Sequence, residues 1–479
     1  MWKLVGAVMA VVLLDVPEIH AQVLFGAASP TALAFDVRAY GAKCDGAIVY
    51  GGVTLSTSNT TVSTPTHSFT SADVGATITL WAPPFNSHQS TPLTAFASTI
   101  ASVSGGNATL AATPSFSSST AGAFWYHTVD TTAMQAAINA ASANAPVSGG
   151  GWVQIPQGVC VTGQLTMPSF TRIVGAAQGG STIALANGSN SDLFIGAGYN
   201  MLVGSNNNGG IHDFGLQNLQ LFGNRAANTG SGIGNPTGTG DAIRVYGYQY
   251  FTDNLLVNYF AGDGLFSEWG TSGGSPEDSN GNIGLDGMES HVHDVKFAYN
   301  AGWAMVWGGP HDAIISHVIA LSNGTGGLWQ EQVANSSAGP LRVDHFHGYQ
   351  NGGADINGLA GLSCNQCYAE DFAITNGYQN SWIDSGINVL YLGSSGSGAV
   401  YQNQFIGTVV LTLDNINGTG SGDQWVNSNI GAFSGSSYTP SYSINTIGQT
   451  NVVNGSVAVS CSGTPSSSYA VVQGIVTHC

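Results

Sequence analysis

Short stretches in which hydrophobic and polar residues alternate fill most of the chain, and glycine or proline separates them. The first is "AFDVRAYGAKCDG", residues 34–46, in which Phe35 and Val37 alternate with Asp36 and Arg38 before a glycine-flanked tip. Alternation with a period of two is typical of a half-buried strand. We therefore expect a strand here that runs into a turn.

One segment, "VDTTAMQAAINAASANAP", departs from this pattern and predicts a helix over residues 131–143. Either Asp130 or Thr131 is its expected N-cap. Apolar side chains recur at helical spacing and form the face that we expect to be buried: Met134, Ala137, Ile138 and Ala141.

The Ser/Thr-rich segment 47–127 lies between the opening turn and this helix. It contains "HSFTSADVGATITLWAPP" and "ASTIASVSGGNATLAATPSF", both of which alternate like short antiparallel strands. We interpret it as a small inserted β-subdomain.

From about residue 211 the chain repeats a strand, a polar turn and a glycine. Gly302, Gly327 and Gly353 are 25 and 26 residues apart. A period of this length without helices predicts a parallel β-helix, in which each coil buries its apolar side chains by stacking on the next. A β-sandwich would show hairpin signals but no repeated unit of this length. Asparagines at similar turn positions predict a ladder of stacked amides: Asn258, Asn300 and Asn323.

The charge of the chain limits its partners. Of 479 residues, 26 are Asp or Glu and 8 are Lys or Arg, which gives a net charge of −18. Such a surface repels nucleic acid and anionic polymers. Residues 1–21 combine one Lys with an apolar run, so they predict a signal peptide cut after Ala21, with membrane contact only during export.

Export makes disulfides the expected state of the six cysteines. Cys461 and Cys479 bracket the final segment, Cys364 and Cys367 lie close together, and elimination pairs Cys44 with Cys160. A zinc site is disfavoured because "SCNQC" has no second CxxC motif or HxxxH partner.

Four motifs occur in the order seen in pectate-lyase-like right-handed β-helix proteins: "FDVRAYGAKCDG", "DTTAMQAAINAA", "GGGWVQIPQG" and "LQNLQLFGN". Over residues 34–400 the chain resembles that superfamily, and most of all the branch of secreted polysaccharide-active enzymes and phage tailspike-type depolymerases. The resemblance implies an all-β, single-stranded right-handed parallel β-helix whose N-terminal helix caps the apolar end. We expect the β-helix to comprise residues 34–46 and 128–400, with the last coils and a disulfide-closed segment in 401–479.

The reacting groups are expected on an outward face of the coils. Counting from the repeated glycine, the first and third positions point inward and the second and fourth outward, which avoids burying acids. The fourth position then presents Glu268 and Glu331, and the second presents Trp329 and Asp355. Backbone separations of about 8 Å for Glu331 and Asp355 and about 10 Å for Glu268 and Glu331 suit an acid–base pair.

We therefore predict that Glu331 and Asp355 form this pair, with Glu268 as the substitute partner. Tryptophans on or just past the same strands are expected to stack on sugar rings: Trp269, Trp307 and Trp329. Asp263 matches the first aspartate of the polygalacturonase pattern, but the other motifs of that pattern are absent. A turn role for Asp263 is therefore favoured over a catalytic one. If the groove lies on another face, Asp263 and Asp312 are the next candidates.

Neither a metal nor another cofactor is predicted. The histidines of "SHVHDV", "GPHDAIISH" and "VDHFHG" lie on stacked strands, but we expect half of them to point inward. The chain is thus expected to be a secreted enzyme that hydrolyses a neutral or weakly charged polysaccharide, with a homotrimer as one assembly to consider. The alternatives are a pectate-type lyase, disfavoured because Lys and Arg are scarce, and a non-catalytic adhesive β-helix.

Overall fold

The computed structural model describes twelve segments of the chain. They are residues 34–82, 93–144, 150–202, 210–269, 289–331, 340–393, 402–415, 423–435, 442–444, 447–448, 471–472 and 475–476. The predicted signal peptide and the Cys461–Cys479 pair lie outside these residues. No helix among them is long and apolar enough to cross a membrane.

The described helices are few and short. They are the α-helices Thr131–Ala143 and Tyr199–Leu202 and the 3-10 helices Val37–Tyr40 and Ser71–Asp73. Twenty-nine strands form the main sheet. These are Ala34–Asp36, Gly151–Gln154, Gly158–Thr162, Leu165–Met167, Thr171–Val174, Ser181–Leu185, Phe194–Gly196, Ile211–His212, Gly215–Phe222, Ile243–Tyr248, Phe251–Asn258, Leu265–Glu268, His291–Ala298, Trp303–Gly308, Ala313–Leu321, Gly326–Gln330, Leu341–Tyr349, Ile356–Ala360, Leu362–Asn365, Tyr368–Ala369, Ala373–Tyr378, Ser381–Ile383, Gly386–Leu392, Gln404–Ile406, Val409–Asn415, Gln424–Val426, Asn429–Gly435, Tyr442–Ile444 and Ile447–Gly448. Val471–Val472 and Ile475–Val476 form a separate antiparallel pair.

Strands of successive coils pair in parallel. In the described coils from residue 215 to 360, each strand pairs with the second strand after it, so that every coil contributes to two sheets. One inward column shows how the core is built: Ile243, Leu265, Met305, Leu328 and Ile356 are register partners and all are buried. The predicted parallel β-helix, with its capping helix and inserted β-subdomain, is confirmed.

The longer strands bend at a residue in the left-handed region. Pairing between neighbouring coils omits this residue, which has a positive φ in every coil from Gly215 onward to Tyr349: Asn218, Asn254, Asp294, His317 and His345. Asn, Asp and His are the non-glycine residues that tolerate this conformation best. The bend turns one strand into two sheet segments and forms a corner of the solenoid.

The N-terminal helix closes one end of the core. Its buried face is the predicted one, formed by Met134, Ala137, Ile138 and Ala141. The Asp130 carboxylate makes no cap bond to the helix but accepts the backbone N–H groups of Lys43 and Cys44, both at 2.8 Å. The opening strand is shorter than predicted, because the Asp36 side chain accepts the Arg38 N–H and begins a 3-10 helix.

The inserted segment forms a six-stranded antiparallel sheet. Its strands are Ala47–Leu55, Thr61–Val62, Thr77–Trp81, Ala95–Ser104, Asn107–Leu110 and Ser118–Tyr126. Aromatic side chains join it to the solenoid, since Tyr50 stacks on Tyr259 with ring centroids 5.7 Å apart and Trp81 and Phe124 pack near Phe222. The insert therefore covers the first coils of one sheet.

An asparagine ladder runs inside one turn, as predicted, but its members differ in part. The Asn300 amide donates to the Asn323 side chain at 3.0 Å, and Asn323 donates to Asn351 at 3.0 Å. Asn258 lies outside this ladder. The preceding coil contributes a backbone group instead, since the Phe260 N–H donates to Asn300 Oδ1. The two predicted disulfides that lie within the described residues, Cys44–Cys160 and Cys364–Cys367, are formed.

Candidate active site

Glu268 and Glu331 lie in one column of the sheet, two coils apart. Glu268 is the register partner of Gly308, and the Glu331 N–H donates to the Trp307 carbonyl at 2.9 Å, which sets Glu331 beside Gly308 on the other side. Two strand spacings separate the glutamate backbones by about 9.6 Å. The residue between them is a glycine, which has no side chain to separate the two glutamates.

The residues before the two glutamates fix their outward direction. Ser267 and Gln330 are buried, and each is tied down, with Ser267 Oγ donating to the Gly309 carbonyl at 2.7 Å and Gln330 Nε2 to the Ala360 carbonyl at 2.7 Å. Because successive strand residues alternate between faces, Glu268 points outward. Glu331, the next residue after its strand, follows the same alternation. The prediction that both side chains point outward is correct.

Both glutamates are poorly solvated and close enough to repel one another. Glu268 is only 2% exposed, and Glu331 is half-buried. Within the part of the chain that the structure describes, Glu268 Oε1 and Glu331 Oε2 have no hydrogen-bond partner. Burial first, and then the charge of Glu331, raise the pKa of Glu268 to about 7. Burial, followed by the charge of Asp263, raises the pKa of Glu331 to about 7.

A buried arginine lies beside the pair in a position that sequence reasoning missed. Arg244 pairs with Asp192 at 3.1 Å and with Asp241 at 2.5 Å, and its guanidinium lies 4.8 Å from the centre of the Phe266 ring. Its positive charge favours the ionised form of Glu268 and offsets part of the upward pKa shift that burial causes at that carboxyl. The scarcity of Lys and Arg in the chain, together with the closeness of Asp241 to Arg244 in the sequence, was the available signal.

Three aspartates form a ladder next to this arginine. The Asp192 carboxylate accepts the Asp241 N–H at 2.9 Å, and the Asp241 carboxylate accepts the Asp263 N–H at 2.7 Å. Asp263 accepts the Trp303 N–H at 2.7 Å, and its second oxygen accepts the Gly234 N–H at 2.8 Å. Burial raises the pKa of Asp263 to about 6. The structure therefore gives Asp263 the turn role, with both oxygens bonded.

Asp355 does not join Glu331. Its carboxylate accepts the Asn351 side-chain amide at 2.7 Å and the Asp371 N–H at 2.8 Å, so it ends the asparagine ladder. The sequence register placed it two residues out, because the coil positions equivalent to Gly264 and Gly327 are Ala304 and Asp355, not Gly302 and Gly353. Burial raises the pKa of Asp355 to about 7.

The tryptophans divide into core and surface. Trp307 is fully buried and donates from Nε1 to the Pro310 carbonyl at 3.0 Å, so it packs in the core. Trp269 is buried, and no described residue forms a hydrogen bond with its Nε1. Trp329 is half-buried and lies against Trp303, which the sequence reasoning passed over, with ring centroids 5.5 Å apart.

The loop before Asp241 borders this tryptophan pair. A methyl group on Gly234 would come within 2.7 Å of Trp329, so the loop backbone lies directly against that ring. Arg244 holds the same loop by donating to the carbonyls of Asn235 and Pro236. Asp312, the remaining candidate from the sequence, is exposed and pairs with His311 at 2.6 Å, before a strand of the other sheet.

Comparison with known proteins shows similarity in structure alone. No protein-family model and no curated protein matches the chain. The A-module of mannuronan C-5 epimerase AlgE4 from Azotobacter vinelandii matches with 16% identity over 66% of this chain and 96% of that one, at a TM-score of 0.43. The catalytic unit of a GH87 alpha-1,3-glucanase from Streptomyces thermodiastaticus matches with 12% identity over 85% and 96%, at 0.42.

PfbA, a surface adhesin of Streptococcus pneumoniae, matches with 11% identity over 67% of this chain and 88% of that one, at a TM-score of 0.38. The resemblance to pectate-lyase-like β-helix proteins is confirmed at the level of the fold. The strand pairing of the chain itself establishes that fold. At these identities and TM-scores, no activity transfers from the matched structures.

Proposed function

We propose that this chain is a secreted enzyme that hydrolyses glycosidic bonds of a neutral or weakly charged polysaccharide, with Glu331 and Glu268 as its acid–base pair. The observation that carries the proposal is the pair of poorly solvated carboxylates on either side of Gly308, each with an oxygen that has no hydrogen-bond partner among the described residues. A buried carboxylate without a hydrogen bond is costly to stability. Its retention here is explained if the two oxygens act on a substrate and a water.

The surroundings assign different roles to the two residues. Burial raises the pKa of both carboxyls to about 7, with the charge of Glu331 as the second cause at Glu268 and the charge of Asp263 at Glu331. The charge of Arg244 offsets part of the shift at Glu268, so we assign the proton of the pair to Glu331. Glu331 is therefore the general acid, and Glu268 is the general base.

In the proposed reaction, Glu331 gives its proton to the glycosidic oxygen as the bond to the anomeric carbon breaks. A water adds to that carbon and loses a proton to Glu268, so that the pair has exchanged one proton overall. Carboxyl groups about 6.5–9.5 Å apart leave room for this water, and those about 5–5.5 Å apart act through a covalent intermediate.

The charge of the chain favours a neutral substrate. The net charge is −18, and Arg244 is already paired with Asp192 and Asp241. A uronate polymer would need its carboxylates neutralised near the reacting carbon, and this cation is committed elsewhere. We place the protein outside the cytoplasm because Cys44–Cys160 and Cys364–Cys367 are disulfides, which persist in oxidising compartments.

The test incubates the secreted chain with a panel of neutral and uronate-containing polysaccharides. Reducing ends and the ultraviolet absorbance of unsaturated uronates are followed together. We expect new reducing ends on a neutral polymer without that absorbance. Glu331→Gln should abolish the signal, and the matched variant Glu289→Gln, at an exposed position outside the pair, should keep it.

Other outcomes separate the alternatives. New reducing ends together with the absorbance would identify a lyase and overturn the proposal. Binding of a polymer without any cleavage by the wild-type chain would identify an adhesive β-helix, and it would overturn the proposal equally.

A further inference from the structure

A cluster of histidine and aspartate side chains lies at the bend of the coils, away from the glutamate pair. In a regular strand, neighbouring residues such as His293 and Asp294 would point to opposite faces. Asp294 has a φ of 49°, and this left-handed bend turns both side chains outward. His317 occupies the same bend in the next coil, with a φ of 54°. Donor atoms of these three residues all lie within 4.8 Å of one another.

The ring of His293 is held in a defined orientation. Its Nδ1 lies 2.9 Å from an Asp253 oxygen one coil away, and the other Asp253 oxygen accepts the Gln217 amide at 2.7 Å. A carboxylate that binds one imidazole nitrogen fixes the tautomer and leaves the other nitrogen for a metal. This arrangement is the usual support of a metal-binding histidine.

The expectation that half of the histidines would point inward is wrong for this group. His291 and His293 are two residues apart and lie on the same outward face, on either side of the buried Val292. The His317 ring stacks on the His345 ring of the next coil, with centroids 4.7 Å apart and an angle of 7°. The stack limits the positions that His317 can take.

We propose that His293, Asp294 and His317 bind a divalent transition-metal ion of the zinc class at the surface of the solenoid. Two imidazoles and one carboxylate are a donor set that suits Zn²⁺, and three protein ligands leave a fourth position for water. Calcium requires more oxygen ligands than this set offers. Asp253 supports the site from behind. Because the ligands come from two successive coils, the ion cross-links the strands His291–Ala298 and Ala313–Leu321.

The experiment titrates the full secreted chain with ZnCl₂ by calorimetry after treatment with a chelator and dialysis. We expect a saturable event of one Zn²⁺ per chain and a higher Tm in the presence of Zn²⁺. Asp253→Asn should weaken the binding by about 10–100-fold, as loss of an outer-shell partner does. His317→Asn removes a ligand and keeps a residue that tolerates the left-handed bend, so it should weaken binding at least as much.

His291→Ala is the matched control, since His291 lies on the same face of the same strand but outside the three ligands. It should bind Zn²⁺ like the wild type. Without Zn²⁺, His317→Asn should keep the wild-type Tm, because this side chain is exposed. Three results would overturn the proposal: no saturable Zn²⁺ binding, binding that survives in His293→Ala/His317→Asn, or equally tight binding of Ca²⁺.

Discussion

Two sets of carboxylates with little access to solvent lie side by side on this solenoid, and they differ in their hydrogen bonds. In the ladder, Asp192, Asp241 and Asp263 each accept a backbone N–H from the following coil. In the pair, Glu268 and Glu331 each retain an oxygen to which no described residue forms a hydrogen bond. Arg244 lies between the two sets and forms its ion pairs with the ladder.

Under the proposed function, the difference separates carboxylates that support the fold from carboxylates that carry out the chemistry. Hydrogen bonds to a carboxylate stabilise its charge and commit its oxygens. The ladder uses its oxygens to connect coils, whereas the pair can still accept or donate a proton. The number of bonded oxygens is therefore more informative about function than burial alone, since Asp263 and Asp355 are as deeply buried as Glu268.

The largest expected effect is on the rate. Glu331→Gln keeps the shape of the side chain but removes the proton that the leaving group needs, so turnover should fall by about 10²–10⁴-fold. The Glu268→Gln/Glu331→Gln double variant should lose little more than the more damaging single variant, because the two residues act as one unit. Initial rates on the cleaved polymer measure both effects. A fall in turnover of less than tenfold for Glu331→Gln would show that Glu331 is not the general acid.

Disruption of the aspartate ladder should lower the free energy of unfolding. Arg244→Gln leaves Asp192 and Asp241 buried without their partner, and breaking such a pair costs about 3–5 kcal/mol of unfolding free energy. The matched control is Arg342→Gln, whose exposed ion pair with Asp344 is worth about 0–1 kcal/mol. Denaturant unfolding compares the two variants. Equal stability losses would show that the buried network does not support the fold.

Substitution of Trp329 should affect substrate binding, whereas substitution of Trp307 should affect core packing. Trp329→Ala removes a half-buried ring beside Trp303, and we expect KM to rise by about 2–10-fold, as for the loss of an aromatic contact of about 0.5–1.5 kcal/mol. Trp307→Ala should instead lower the Tm, because it opens a cavity in the core. Steady-state kinetics and thermal unfolding of both variants test this division. A rise in KM for Trp307→Ala at unchanged Tm would show that Trp307 contacts the substrate and does not act through core packing.

The smallest expected effect is on the pH dependence of stability. The folded state raises the pKa of Glu268 and Glu331 from 4.5 to about 7, so it binds protons more tightly than the unfolded state does. Stability should therefore fall as the pH rises from about 4.5 to about 7 and then level off. Asp263 and Asp355 contribute with the same sign.

Glu331→Gln removes one of these groups. Its Tm should decrease less than that of the wild type between acidic and mildly alkaline pH, and at the alkaline end it should equal or exceed the wild-type value. Thermal unfolding across this pH range is the measurement. A steeper decrease in the variant would show that the Glu331 carboxylate is stabilised in its ionised form.

Local sequence patterns were sufficient to predict several features. The spacing of Met134, Ala137, Ile138 and Ala141 predicts the buried face of the helix, and alternation predicts that Glu268 and Glu331 point outward. These features depend on the geometry of one element, which a short stretch of chain contains in full. Of the two described disulfides, Cys364–Cys367 followed from cysteine spacing and Cys44–Cys160 from elimination.

Contacts between coils were decided by the tertiary structure alone. Two coils begin their strands two residues later than the repeated glycine indicates, which moves Asp355 out of the expected pair and sets Gly308 between Glu268 and Glu331. The turns differ in length from coil to coil, and the register follows the hydrogen bonds between strands, not the count of residues along the chain. For the same reason Arg244 meets Asp192, which is 52 residues away, only after the coils have stacked.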